Sequence, residues 1–144
     1  MSHLGYAILW AAQAHKDQKD KLGKPYILHS IAVMSQMQTD DEKIVAVLHD
    51  VFEDTDAEID LMTRFNKDVQ SALMTITKKK AENYTDYIHR VKSNKIATKV
   101  KIADLRDNLD PSRLIALDTA VRNRLINKYK KALDILSEGT TDDQ

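Results

Sequence analysis

The sequence contains no cysteine, only two prolines and three glycines among its 144 residues, and aromatic side chains make up 6% of it. The lack of cysteine excludes disulfides and thiolate-ligated zinc. So few helix breakers favour long helices over a fold of many strands. No signal peptide or membrane-spanning apolar run is recognisable, so we expect a cytoplasmic protein without a membrane partner.

A surplus of charge is also lacking, because Lys and Arg total 22 and Asp and Glu total 22. Binding to bulk nucleic acid depends on a surplus of cations, so nucleic acid is not expected as a partner. A small phosphate-rich ligand in a local basic pocket is still compatible with this composition. The length fits one domain. We expect that domain to span residues 1–138 and the polar residues 139–144 to form a disordered tail.

Apolar residues recur at helical spacing through most of the chain, which predicts an all-α, single-domain helical bundle. Thr39 and Glu42 fit a capping box, in which each side chain satisfies a free amide of the other residue, and Thr55 and Glu58 fit a second one. Asp110-Pro111 predicts the start of a last helix that continues to about Leu136. Other helices are predicted at about residues 4–17, from 29 onward, 67–78, 84–93 and 95–109.

The most informative motif is His49-Asp50, followed one helical turn later by Glu53-Asp54, in the segment AVLHDVFEDT. Adjacent residues project about 100° apart on a helix, so His49 and Asp50 reach one ion together only near a helix end. The sequence therefore predicts that a helix ends close to this dyad. Glu53 follows His49 by one turn and Asp54 follows Asp50 by one turn, so each pair shares a face.

Further candidate ligands lie outside this segment: His29 upstream, and Asp104 with Asn108 downstream. With the dyad they make two histidines and two aspartates, a donor set suited to a catalytic divalent cation. Alone, each residue has a plainer interpretation. Asp104 could pair with Lys101 on the same helix, and His29 could be a hydrogen-bonded core residue. His15 is expected to brace the site and not to bind metal.

Taken together, these motifs resemble the HD-domain hydrolases of the RelA/SpoT group, and most closely their single-domain members, the small alarmone hydrolases. The resemblance spans about residues 4–136. It implies a helical bundle of the HD-domain type that removes the 3′-pyrophosphate from guanosine tetra- and pentaphosphate, usually with manganese. The motifs that carry it are His15-x-x-Gln18, Gly23-x-Pro25-Tyr26-x-x-His29, His49-Asp50-x-x-Glu53-Asp54-Thr55 and Lys101-Ile102-Ala103-Asp104-x-x-x-Asn108.

The resemblance implies three groups of functional residues. The metal ligands, most simply for Mn²⁺, would be His29, His49, Asp50 and Asp104. The pair that orients and deprotonates the attacking water would be Glu53 and Asp54. The contacts to the nucleotide would be Lys21, Asn108, which meets the ribose, and Tyr129.

This chain departs from the family pattern at two positions. Asp20 stands where the family commonly has an arginine that helps to hold the base and phosphates, and Pro111 stands where a threonine is common. An acid at position 20, in the segment between the helices predicted at 4–17 and from 29 onward, repels a phosphate ligand. Two alternatives therefore stay open: an HD phosphohydrolase for another nucleotide, such as a 5′-nucleotidase or an NADPH phosphatase, and a nucleotide-binding module without catalysis. The oligomeric state also stays open.

Overall fold

The computed structural model describes residues 2–54 and 59–138, apart from the side chains of residues 54, 59 and 60. Within these residues the chain forms α-helices and one 3-10 helix but no β-strand, so the predicted all-α helical bundle is confirmed. The α-helices are α1 (His3–Ala14), α2 (Ile27–Ser35), α3 (Asp40–Leu48), α4 (Val51–Asp54), α5 (Lys67–Ile76), α6 (Tyr84–Val91), α7 (Lys95–Asn108), α8 (Pro111–Leu114) and α9 (Thr119–Ser137), and the 3-10 helix is Ile59–Arg64.

Helix α3 lies at the centre of the bundle. Its last five residues, 44–48, are all buried, and the helix packs against α1, α2, α5 and α7. Five consecutive buried residues indicate a helix covered on all sides, unlike the single apolar stripe of a surface helix. The predicted capping box is confirmed, because Thr39 and Glu42 each accept a hydrogen bond from the other's backbone amide. The centre of the core therefore leads directly into the His49-Asp50 dyad.

The loop between α1 and α2 is a tight turn stabilised by Asp20. Oδ1 of Asp20 accepts hydrogen bonds from the backbone amides of Leu22 and Lys24, both at 2.9 Å. The amide of Asp20 donates to the carbonyl of Lys24 at 2.8 Å, which closes the turn. Gly23 has a φ of +80°, a conformation that glycine adopts without steric cost. The segment between the helices predicted at 4–17 and from 29 onward is thus a loop, and its backbone is fixed by hydrogen bonds.

The last helix differs from the prediction. Asp110 does cap a helix, since its side chain accepts from the amide of Ser112, but this helix is the short α8 and the long α9 begins only at Thr119. The Leu117 amide donates to Leu114 in a turn, and the Leu117 carbonyl accepts from the guanidinium of Arg122 at 3.0 Å. The apolar spacing continues across this break, which is why periodicity alone predicted one helix.

Two predicted features lie outside the described residues: the capping box at 55–58 and the polar tail at 139–144. Immediately after the gap at 55–58, where a helix was expected, the chain forms the 3-10 helix; Met62 within it and Phe65 just after it are buried. No helix among the residues that the structure describes combines the length and the apolar character needed to cross a bilayer.

Candidate metal centre

Four predicted ligands from three parts of the fold converge on one point. His29 lies on α2, Asp104 lies on α7, and His49 and Asp50 lie in the junction between α3 and α4. Each offers one ligand atom, and the four atoms all lie within 4.8 Å of one another. Asp50 is partly exposed and the other three residues are buried. A cluster of two imidazoles and two carboxylates with one accessible side suits a divalent cation that keeps positions open for water and substrate.

The junction after α3 is what allows both residues of the dyad to face this cluster. Helix α3 ends at Leu48, as the motif predicted, and α4 begins only at Val51. Nδ1 of His49 lies 2.6 Å from the carbonyl oxygen of Ala46, which can only accept, so Nδ1 carries the proton. Nε2 of His49 is then the ligand atom, and it lies 3.0 Å from Oδ2 of Asp50.

His29 is held by two carboxylates, one on each ring nitrogen. Its Nε2 lies 2.8 Å from Oδ1 of Asp104, and its Nδ1 lies 2.6 Å from Oδ2 of Asp107. A carboxylate on the far nitrogen fixes the orientation and tautomer of a metal-binding imidazole. The sequence interpretation missed Asp107. The available signal was its position three residues after Asp104, which places both carboxylates on one face of α7.

The electrostatics of the cluster favour positive charge at its centre. Burial alone would lower the pKa of His29, but hydrogen bonds to Asp104 and Asp107 outweigh burial and raise the pKa above its usual value. Burial also opposes charge on His49, yet the carboxylates of Asp50 and Asp104 hold its pKa well above the usual range. The pKa of Asp50 is lowered, because the charge of His49 and the hydrogen bond with it outweigh the loss of solvent around the carboxylate. The donor set therefore fits a divalent cation.

Two further residues of α7 contact the ligand Asp104. Nζ of Lys101 lies 2.9 Å from Oδ2 of Asp104. Asp104 therefore pairs with Lys101, as the plainer interpretation expected, and also belongs to the cluster of four ligands. The side-chain amide of Asn108 donates to Oδ1 of Asp104 at 3.2 Å. These contacts fix the carboxylate so that Oδ1 faces the two histidines.

Tyr26, at the start of α2, contacts the ligand Asp50 from the loop side. Its hydroxyl donates to Oδ2 of Asp50, and its ring centroid lies 5.2 Å from that of His15. His15 is buried, and its Nδ1 lies 2.7 Å from Oε1 of Gln18. His15 thus lies behind Tyr26 and not among the four ligands, as expected of a residue that braces the site.

The two predicted water-handling acids both belong to α4. Glu53 is exposed, and its Oε1 accepts a hydrogen bond from the backbone amide of Lys78, just after α5. This contact ties α4 to the end of α5. Glu53 is not one of the four clustered ligands. The side chain of Asp54 lies outside the described part of the structure.

A cavity of about 410 Å³ adjoins the cluster, a volume suited to a small-molecule ligand. The three predicted nucleotide contacts all line it, and Tyr26 and Asn108 belong both to its wall and to the surroundings of the metal ligands. Its lining residues are Gln18, Lys19, Asp20, Lys21, Leu22, Tyr26, Asn108, Arg113, Leu114, Leu117, Leu125 and Tyr129.

This chain is similar to known proteins over most of its length. The chain is 32% identical over 113 residues to the guanosine-3′,5′-bis(diphosphate) 3′-pyrophosphohydrolase of Aquifex aeolicus, an alignment that covers 69% of this chain and 16% of that protein. It is 31% identical over 143 residues to the bifunctional (p)ppGpp synthase/hydrolase SpoT of Escherichia coli K12, with 83% of this chain and 20% of that protein covered. The chain thus spans a fifth or less of the length of these relatives.

A solved structure described as a metazoan ortholog of SpoT that hydrolyzes ppGpp superposes on this chain with a TM-score of 0.79. The two chains are 27% identical, and the match covers 97% of this chain and 88% of the other. The resemblance to hydrolases of the RelA/SpoT group is therefore confirmed. The family model described as HD domain matches residues 7–133, nearly the whole bundle, and the chain belongs to the HD-domain family.

Proposed function

We propose that this chain is a metal-dependent phosphohydrolase that removes the 3′-pyrophosphate from guanosine 3′,5′-bis(diphosphate). The observation that carries the proposal is the convergence of His29, His49, Asp50 and Asp104 beside a cavity that two loop lysines line. The choice of substrate is supported by the relatives named for hydrolysis of this nucleotide, which match most of this chain. The cofactor that we propose is Mn²⁺, because it accepts mixed nitrogen and oxygen ligands.

A divalent cation at the cluster would lower the pKa of water and offset the negative charge of a phosphate group. The chain's own residues supply the rest of the chemistry. Glu53, together with Asp54, accepts a proton from the attacking water. Water attacks the phosphorus that is bonded to the 3′ oxygen. The bond between this phosphorus and the 3′ oxygen breaks, and the released 3′ oxygen takes up a proton. The products are guanosine diphosphate and pyrophosphate.

Binding of the nucleotide falls to the residues that line the cavity. Lys21 is exposed on the loop and supplies positive charge for the phosphates. Asn108 lines the cavity and its side-chain amide also donates to the ligand Asp104. If this amide contacts the ribose, it also sets the distance from the sugar to the metal ligands. Tyr129 lines the cavity from α9. Placement of this kind lowers the entropic cost of bringing substrate and water together.

The test is the product of manganese-dependent hydrolysis of guanosine tetraphosphate. We expect pyrophosphate from the wild-type protein, and neither metal binding nor turnover from Asp50→Ala. Asp86→Ala, at an exposed position in the first turn of α6, serves as the matched control and should behave as wild type. Release of orthophosphate would identify a phosphomonoesterase instead. Tight nucleotide binding without turnover would identify a binding module, and full turnover in metal-stripped protein would refute the scheme.

A further inference from the structure

The cavity contains an arginine that the sequence motifs do not assign, Arg113 on α8. We propose that Arg113 holds the purine ring of the nucleotide by stacking on it, and that Asp20 is a positioning residue that orients the Arg113 guanidinium. This inference rests on the proposed function, which supplies the purine nucleotide. It accounts for an acid at the loop position where related hydrolases commonly have an arginine.

Arg113 is fixed by carboxylates from two parts of the fold. Its Nη1 lies 4.0 Å from Oδ2 of Asp20 in the loop and 3.6 Å from Oδ2 of Asp107 on α7. The first separation is at the limit of an ion pair, so Asp20 orients the guanidinium through charge and not through a hydrogen bond. The Arg113 side chain is 23% exposed, and it lines the cavity. The guanidinium is thus held in place while part of it remains accessible to a ligand.

The charges around Arg113 favour stacking over phosphate binding. The carboxylates of Asp20 and Asp107, the second of which is shared with His29, both face the guanidinium and weaken its attraction for a phosphate. Lys19 and Lys21, which are both exposed on the loop, attract the phosphates instead. A guanidinium is planar and weakly hydrated, and its face stacks on aromatic rings even when its edge is engaged by carboxylates.

The neighbours of Arg113 in the cavity suit a nucleobase. Leu114 and Leu117 follow it along the chain, and Leu125 and Tyr129 approach from α9. An apolar wall with one aromatic side chain and one guanidinium matches the flat face of a purine, because every base presents a π surface for stacking. The phosphates would then extend toward the loop lysines and the metal ligands.

Asp20 itself does not point freely into the cavity. Its Oδ1 accepts two backbone amides of its own loop, and its Oδ2 faces Arg113. The negative charge is therefore compensated locally, and repulsion of a phosphate ligand is weaker than the sequence suggested. In this chain α8 supplies the arginine of the cavity wall, and the start of α8 is fixed by the Asp110 cap and Pro111.

The experiment compares Arg113→Ala and Arg113→Lys with wild type in two assays. In the first, KM and kcat are measured for guanosine tetraphosphate with Mn²⁺. A lost stacking contact should raise KM about tenfold in both variants and leave kcat within about twofold. Arg106→Ala, at an exposed position on α7, is the matched control and should not change KM. A lysine that preserves KM would show that Arg113 acts through charge, and an unchanged KM in Arg113→Ala would refute the contact.

The second assay measures binding of guanosine diphosphate and uridine diphosphate to chelator-treated protein. We expect a wild-type preference for the purine that both Arg113 variants lose. An unchanged preference overturns the inference, whatever substrate the enzyme hydrolyses. If wild-type protein fails to hydrolyse guanosine tetraphosphate but shows an Arg113-dependent purine preference, the proposed function fails and the inference about Arg113 holds.

The positioning role of Asp20 is tested by a double-mutant cycle. Asp20→Asn keeps a side-chain oxygen that can accept the loop amides and removes the charge that faces Arg113. We expect a smaller rise in KM than in Arg113→Ala, and no additional rise when Asp20→Asn is combined with Arg113→Ala. Additive effects of the two substitutions would show that Asp20 acts independently of Arg113.

Discussion

The hydroxyl of Tyr26 donates a hydrogen bond to Oδ2 of Asp50, so a residue of the cavity wall directly contacts a candidate metal ligand. The two residues are 24 positions apart in the sequence and belong to different motifs. Tyr26 is the N-cap residue of α2, whose third residue is the ligand His29. A nucleotide that moves the Tyr26 ring would therefore act on the metal ligands through one hydrogen bond.

The first prediction concerns this hydrogen bond. Tyr26→Phe removes the donor to Asp50 and keeps the ring that packs on His15, so we expect Mn²⁺ affinity to fall about tenfold. Isothermal titration with Mn²⁺ measures the change. Tyr6→Phe is the matched control, because Tyr6 packs against Trp10 and Phe65, away from the cluster. Equal affinities in wild type and Tyr26→Phe would contradict a role for the hydroxyl.

The second prediction concerns the carboxylate behind His29. Asp107→Asn removes the negative charge that lies 2.6 Å from Nδ1 of His29. We expect Mn²⁺ affinity to fall about 10- to 100-fold, because partners of this kind orient the imidazole and raise its basicity. The measurement is a Mn²⁺ titration, with Asp68→Asn at an exposed position on α5 as the control. Unchanged affinity would mean that Asp107 serves only Arg113.

The third prediction separates catalysis from metal binding. Glu53→Gln retains an oxygen that can accept from the Lys78 amide but cannot take up a proton from water. We expect kcat to fall by about 10²- to 10⁴-fold, with Mn²⁺ affinity unchanged because Glu53 is not among the four clustered ligands. Glu138→Gln, at an exposed position after α9, should match wild type in both measurements. A parallel loss of metal and turnover in Glu53→Gln would make Glu53 a ligand.

The fourth prediction concerns pH and stability. Two hydrogen bonds from the guanidinium of Arg90, each 2.9 Å long, lower the pKa of Glu82 to about 2 from an ordinary value of 4.5. Because the folded pKa is depressed, this pairing stabilises the protein fully above pH 4.5 and is lost as the pH falls toward 2. Glu82→Gln should therefore lower Tm at pH 7, and it should lower Tm by a smaller amount at pH 3.5.

Thermal unfolding of Glu82→Gln and wild type across pH 3 to 7 checks this prediction. Arg90 also donates to the carbonyls of Thr75 and Thr77 near the end of α5, so the pair links α5 to α6. Glu138→Gln controls for the loss of one exposed carboxylate. A Tm difference that stays constant down to pH 3 would show that the Glu82 charge does not contribute.

The bundle and the meeting of the four candidate ligands could be expected from the sequence for a physical reason. The dyad demands a helix end, since adjacent helical residues do not converge on one ion, and α3 does end at Leu48. The Thr39 capping box likewise specifies its partners locally and was confirmed. Both features depend on interactions between residues a few positions apart, so the sequence pattern that predicts them contains all the residues involved.

Other features depend on contacts between distant segments and could not be read in this way. The break before α9 is stabilised by the Arg122 side chain, while the apolar spacing continues across it. Asp20, in the loop between α1 and α2, faces Arg113, which lies on α8. Asp107 was readable as a neighbour of Asp104 on one helix face, but its partner His29 on α2 was not.

The burial of α3 bears on how this protein could change its substrate. The dyad directly follows a run of five buried residues, 44–48, whereas Lys19 and Lys21 are exposed in a turn whose backbone is closed by its own hydrogen bonds. A substitution in that turn alters what the cavity accepts without displacing a core side chain. Substrate preference and metal chemistry are therefore separately evolvable in this bundle: a new nucleotide could be accommodated at the surface while residues 44–50 stay unaltered.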